Sequence, residues 1–157
     1  MLLHETFPVD LIKVDLEAED KDEAFEELVA RFCQVTGSPA RDVLLAAVRD
    51  REAKMSTGIK KGIAIPHGKT DAVDRIYGVL GISRKGVDYD ALDGEPVYLL
   101  FLMLAPPNES EKHLRLLKRL AELLDNPAFY SDLAAAKDSA AAHALIRKYE
   151  DVLIALD

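Results

Sequence analysis

The sequence predicts an α+β fold, a mixed β-sheet flanked by helices in three layers (α/β/α), in the order strand, two helices, three strands, three helices. Three observations carry this. Val97–Leu104 is a run of eight apolar residues, which suits a central strand covered on both faces. Two segments of helical apolar spacing precede the strand-rich middle of the chain. After Pro106-Pro107 every periodic segment is again helical. The 157 residues suit one domain, taken as residues 1–157, and no linker, repeat or low-complexity block divides them.

The elements follow in order. Asp10 to Leu16 reads as a first strand. Asp20 and Glu23 form a capping-box pattern, and Phe25, Leu28, Val29, Phe32 and Cys33 then recur at helical spacing until Gly37 stops the helix. Ser38-Pro39 starts the next helix as N-cap and first-turn proline, and that helix runs to about Ala53. Its buried face is Leu44, Ala47 and Val48, and Arg51 extends the same face toward a cleft, at a helix end that favours cations. Gly62 to Pro66 is a short strand ended by proline. Ile76 to Ser83 is another, weakened by Gly78 and Gly81, and Asp93-Gly94 marks a tight turn before the central strand. Asn108 and Glu111 resemble a second cap for a long helix ending near Asp125. Asn126-Pro127 then separates it from shorter helices at about 127–135 and 138–149.

Composition excludes several classes. Hydrophobic residues at 49% and charged residues at 31% are too apolar a balance for disorder. The longest apolar run, Val97 to Ala105, is too short to cross a bilayer, so no membrane insertion is expected. The N-terminus lacks the basic start and apolar core of a signal peptide. The single cysteine cannot form an internal disulfide, and together these features predict a cytoplasmic protein. The formal net charge of −8 argues against nucleic acid and anionic membranes, and favours a basic protein partner with this chain as the acidic side.

The residues that can do chemistry centre on Gly62-Ile63-Ala64-Ile65-Pro66-His67-Gly68. A strand delivers His67 to its end, proline halts the ladder, and glycine lets the chain turn away. Read without any family, a lone exposed histidine is more often an ordinary loop residue, but an imidazole at a sheet rim is also a good nucleophile near neutral pH and can hold a phosphoryl group reversibly. Gly68-Lys69-Thr70 resembles the end of a P-loop, but Ile63 stands where that motif needs glycine. His113 lies early in the long helix, on the side of Leu116, Leu117 and Leu120. It is either a core-edge histidine or, near a helix N-terminus that favours anions, a contact for a phosphoryl group on His67. Ser56-Thr57-Gly58 is either a simple loop or a source of hydroxyl donors to phosphate. Asp88, Asp90, Asp93 and Glu95 lack the spacing of a metal site and read as a solvated hairpin. Cys33 reads as a structural thiol, and His4 and His143 have no evident partner.

These blocks converge on a resemblance. Arg51-Glu52 with Ser56-Thr57-Gly58, then Gly62 to Gly68, then Tyr98 to Pro106 followed by His113-Leu114 and Leu116-Leu117, resemble the EIIA domain of the fructose–mannitol class of the phosphoenolpyruvate:sugar phosphotransferase system, which includes nitrogen-regulatory EIIA proteins. The likeness covers nearly the whole chain. It implies that His67 is the phosphorylated histidine, that His113 is a second active-site histidine and that Arg51 compensates charge. It further implies that the phosphocarrier protein HPr is the donor and that no metal or organic cofactor takes part. Two roles share this chemistry: regulation of a target protein by phosphorylation state, or donation to an EIIB domain for sugar import. The sequence has no EIIB or EIIC segment, which leans toward regulation. A third role is a binding module without the chemistry, which loss of His67 would have signalled.

Overall fold

The computed structural model describes residues 1–156, the side chains of residues 59 and 60 apart. The chain forms α1 (Leu3–Thr6), a 3-10 turn (Val9–Leu11), β1 (Ile12–Lys13), α2 (Lys21–Thr36), α3 (Arg41–Lys54), β2 (Gly58–Lys60), β3 (Ile63–Ala64) and β4 (His67–Lys69). It continues through β5 (Tyr77–Val87), β6 (Val97–Ala105), a 3-10 turn (Pro107–Glu109), α4 (Ser110–Leu124), α5 (Pro127–Ala134) and α6 (Ser139–Ala155).

Strand β6 is the centre of a mixed sheet. It pairs antiparallel with β5, Leu80 opposite Phe101. On its other side it pairs in parallel, first with β3 and then with β4. β1 lies parallel outside β5, and β2 antiparallel outside β3. The side chains of β6 alternate as a two-sided strand requires. Leu99, Phe101, Met103 and Ala105 join the core under α4, α5 and α6. Leu100, Leu102 and Leu104 join the core under α2 and α3. The three-layer architecture is therefore the one the apolar run predicts.

Several boundaries differ from the sequence reading. The first strand shrinks to Ile12–Lys13, because the residues before it wind into a 3-10 turn. α3 begins at Arg41 with no side-chain cap, since Ser38 Oγ accepts from Ala40 N–H in a local turn instead. α4 begins at Ser110, again without a side-chain cap, after Pro107 starts a 3-10 turn. The stop at Gly37 holds: it adopts φ 76° and its N–H reaches the Cys33 carbonyl at 2.9 Å. Asn126 caps α5 rather than ending α4 directly. β5 runs to Val87, longer than read. Gly78 and Gly81 mark close packing there, a Cβ at Gly78 falling 2.5 Å from the Phe7 ring. The β5–β6 connection spans residues 88–96, with the Asp93-Gly94 turn inside it.

The short α1 was missed. Its anchor is Glu150 of α6, fully buried, which accepts the Leu3 N–H at 2.7 Å and the His4 N–H at 3.3 Å and pairs with Arg119 at 3.2 Å. His4 and His143 find partners here too: His4 Nδ1 meets Glu150 at 3.2 Å, and His143 Nε2 donates to the His4 carbonyl at 2.8 Å.

Gly68 is where the sheet meets α3. A Cβ at Gly68 would lie 3.0 Å from Val48 N and 3.1 Å from the Ala47 carbonyl carbon. Glycine here serves close helix approach, not a change of chain direction. Gly68→Ala should lift α3 from β4, destabilising the fold by about 1–3 kcal/mol. Urea unfolding with an unchanged midpoint would contradict this packing.

Candidate active site

β3 and β4 hold one register against β6, so they act as a single strand interrupted at Ile65-Pro66. The ladder continues past the proline, since Met103 N–H reaches the Pro66 carbonyl at 2.9 Å. His67 thus opens a strand segment rather than standing beyond one. The interruption has a consequence for chemistry. Ile65 turns its N–H away to the Thr57 carbonyl, at 3.0 Å, and its own carbonyl meets His67 Nδ1 at 3.0 Å. A carbonyl only accepts, so Nδ1 carries the proton and Nε2 keeps its lone pair.

The alternation of the strand puts His67 on the face of Ile63 and Ile65, toward α4. There it meets His113, the fourth residue of α4, ring centroids 5.5 Å apart and nearly perpendicular. His113 is only 3% exposed, and its Nε2 has no hydrogen-bond partner among the described residues. Lys69 Nζ donates to Ser110 Oγ at 2.9 Å and so links β4 to the start of α4. On the opposite side, α3 and β4 enclose a cleft of about 430 Å³ lined by Ala47, Asp50, Arg51, Lys54, His67, Gly68 and Lys69. Arg51 sits at its edge with Nη1 donating to the Met55 carbonyl at 2.9 Å. Three cations against one carboxylate line this cleft, so the local charge is opposite to that of the chain.

The structure brings His67, His113 and Arg51 together but places the two hydroxyl residues apart from the cleft lining. Ser56 Oγ accepts from Gly58 N–H in a local turn. Thr57 is 4% exposed, and its hydroxyl is engaged by Glu52 at 2.5 Å and Tyr89 at 2.7 Å. Glu52 itself was not singled out as a site residue. The signal was present, since it lies one turn after Val48 on the buried face of α3. Burial alone would raise the Glu52 pKa, but bonds from the Thr57 hydroxyl and amide and the Lys21 ammonium outweigh it and hold the carboxyl below its usual range. Cys33 is half-buried against the α2–α3 core, its thiol pKa raised by burial, as suits a structural role. Among the described residues no group of three or more His, Cys, Asp or Glu side chains could hold a metal ion.

Both histidines favour the neutral form. Burial first, then Arg51 and Lys69, depress the His67 pKa against opposing effects of the Ile65 bond and Glu52. Burial, then His67 and Lys69, push His113 down to about 4. A neutral imidazole with a bare Nε2, beside fixed cations, can attack an electrophilic phosphorus and hold the dianion it acquires.

The depressed values link to stability. Between about pH 6.5 and 4 the unfolded chain binds protons that the folded His113 refuses, so stability is complete above that window and falls as pH drops through it. Imidazole NMR should show His113 titrating near pH 4, and His113→Asn should flatten the loss of melting temperature across the window. A His113 midpoint near 6.5 would mean the ring is not desolvated.

The chain is similar to known proteins in sequence and in fold. A family model described as phosphoenolpyruvate-dependent sugar phosphotransferase system, EIIA 2, matches residues 5–149. The nitrogen regulatory protein of Bradyrhizobium diazoefficiens is 34% identical over 131 residues, 83% of this chain and 85% of that protein. The crystal structure of nitrogen regulatory protein IIA-Ntr from Neisseria meningitidis superposes with a TM-score of 0.85 at 30% identity, covering 92% of this chain and 98% of that one. The Escherichia coli mannitol EIIA, solved in complex with phosphorylated mannitol EIIB, shares the fold with a TM-score of 0.76 at 22% identity, covering 90% and 97%. Among the described residues no helix is long and apolar enough to cross a membrane. With the match spanning nearly its whole length, the chain belongs to the EIIA type 2 family of the phosphoenolpyruvate-dependent phosphotransferase system.

Proposed function

We propose that His67 Nε2 accepts a phosphoryl group from the histidine of phosphorylated HPr, and that the chain is a phosphoryl carrier with a regulatory role of the nitrogen type. The observation that carries this is the Nδ1–H bond to the Ile65 carbonyl, which leaves Nε2 as the free nucleophile. In the transfer, a bond forms between Nε2 and phosphorus while the donor's nitrogen–phosphorus bond breaks and returns its electron pair to the donor ring. His67 keeps its Nδ1 proton, so the phosphorylated ring gains positive character. The bond to the Ile65 carbonyl strengthens as it does. Arg51 and Lys69 offset the charge of the arriving oxygens. His113 Nε2, unpartnered among the described residues, meets a phosphoryl oxygen once that nitrogen carries the ring's proton.

Support for regulation is the likeness to nitrogen regulatory proteins at 30% identity or more. A phosphoryl group adds close to two negative charges at a cationic cleft. That change alters the fit of any partner docked over His67 without requiring a large movement. Met55 and Leu114, 61% and 68% exposed, neighbour the Arg51 and His113 segments and supply apolar contact. The alternative role, donation to an EIIB domain in sugar import, has in its favour the likeness to the fructose-specific EIIA component of Haloferax volcanii, 37% identical over 117 residues.

Incubation with enzyme I, HPr and labelled phosphoenolpyruvate should label the protein with an acid-labile, base-stable phosphate. His67→Ala should fold and take none; stable labelling of that variant would defeat the assignment. Arg51→Ala should slow uptake by on the order of 10²-fold with little loss of stability. His113→Ala should still accept phosphate but pass it on poorly. To separate the roles, captures from lysate with wild type and His67→Ala are compared with the rate of transfer to EIIB cysteines. A partner that prefers one phosphorylation state supports regulation, and rapid transfer to EIIB without such a partner supports transport.

A further inference from the structure

The loop between α3 and β2 is fixed by a buried network that ends at His67. Glu52, 8% exposed, accepts the Thr57 N–H at 3.0 Å and 3.2 Å and the Thr57 hydroxyl at 2.5 Å. Tyr89 OH reaches the same carboxylate at 3.2 Å and the Thr57 hydroxyl at 2.7 Å. Lys21 Nζ closes the set from α2, 3.1 Å from Glu52 and 5.0 Å from the centre of the Tyr89 ring. The Thr57 carbonyl in turn accepts the Ile65 N–H at 3.0 Å, and the Ile65 carbonyl accepts His67 Nδ1–H at 3.0 Å. Hydrogen bonds linked through the backbone of Thr57 and of Ile65 thus join the Glu52 carboxylate to the far nitrogen of the nucleophile.

We propose that Glu52 is a positioning residue: through Thr57 and Ile65 it fixes the carbonyl that holds the Nδ1 proton of His67, and so fixes which ring nitrogen faces the phosphorus. This deepens the carrier reading and rests on it for its purpose, although the tautomer itself is a property of the resting protein.

The physical case has three parts. Ile65 directs both its N–H and its carbonyl away from β6, and the Thr57 carbonyl takes that N–H, which holds the residue whose carbonyl faces His67. Thr57 is itself held by a carboxylate, whose charge-assisted bonds are stronger than neutral ones. The carboxylate stays ionised because its hydrogen bonds and Lys21 outweigh its burial. If the Ile65 carbonyl tilted away, the ring would lose its preference between two tautomers, and the form with hydrogen on Nε2 has no lone pair to offer there. Groups that bond the far ring nitrogen of a metal-bound histidine act this way, and their loss costs about 10–100-fold. The charged and titratable groups around His67 are Arg51 and Glu52 from α3, Lys69 from β4 and His113 from α4, and the partner of Nδ1 is none of these four but the Ile65 carbonyl.

Glu52→Gln tests this with little change of shape, since its NH2 group cannot accept from Thr57 or Lys21. Thr57→Val removes only the hydroxyl bonds and keeps the amide, and serves should Glu52→Gln fold poorly. Thr57→Ser retains the hydroxyl and is the rescue control. Long-range 1H–15N spectra of the unphosphorylated proteins report which His67 nitrogen is protonated. Wild type and Thr57→Ser should show Nδ1–H alone. Glu52→Gln and Thr57→Val should show both tautomers, with single-turnover uptake from phosphorylated HPr slowed about 10-fold or more and HPr affinity unchanged. Retention of Nδ1–H alone in folded Glu52→Gln and Thr57→Val would overturn the proposal, even if uptake slowed. The tautomer is read without any phosphate donor, so this outcome is decided separately from whether HPr phosphorylates the protein.

Discussion

Strand β6 buries both of its faces, and every part of the site is indexed to it. A two-sided apolar strand has no solvent face, so it draws one helical layer onto each side. It also needs partners at both edges. β5 fills one edge, and the β3–β4 line fills the other in parallel register. His67 therefore has no freedom of depth or face. It sits opposite Met103, pointing with Ile63 and Ile65 toward the layer that contains His113. Gly68, next in the strand, points the other way and lets α3 approach close enough to bring Arg51 to the same edge.

The energetics of the site follow from this placement. Two histidines packed 5.5 Å apart under partial burial cannot both carry charge cheaply, and nearby Lys69 penalises it further. The result is a pair of neutral rings surrounded by permanent cations. Such a site offers a nucleophile in its reactive form and a positive field for what arrives. In the cleft lining a single carboxylate, Asp50, stands against three cations. Net charge is an average, and here it misstates the sign of the cleft beside His67.

The interruption at Ile65-Pro66 is equally consequential. Proline lacks an N–H and fits a strand only at an edge or a break. Register against β6 is kept across the break, with the Gly62 and Pro66 carbonyls facing β6, and the Ile65 carbonyl, off that edge, accepts from the imidazole. The buried Glu52, Thr57 and Tyr89 cluster stands behind this break, where a loop would otherwise leave its peptides loosely held.

Much of this was legible in the chain itself. The apolar run at Val97, the periodicity of α2 and α3, the stop at Gly37 and the stop-and-cap at Asn126-Pro127 are local signals, because spacing and capping act over a few residues. His67, His113 and Arg51 were legible as a group through motif resemblance, and the structure draws them together. Helix starts were less legible: Ser38 and Asn108 look like caps, yet neither caps a helix, since the choice between a turn and a cap depends on how the helix docks. The short α1 was invisible because its anchor, Glu150, is distant in sequence. The roles of Gly68, Thr57 and Glu52 were also decided only by the tertiary structure. A glycine needed for helix approach looks the same in sequence as one needed for a turn. A threonine bound to a buried carboxylate looks the same as one free to bind phosphate. What the sequence determined was periodicity, and what the fold alone decided was which polar atoms are already taken when elements distant in the chain come into contact.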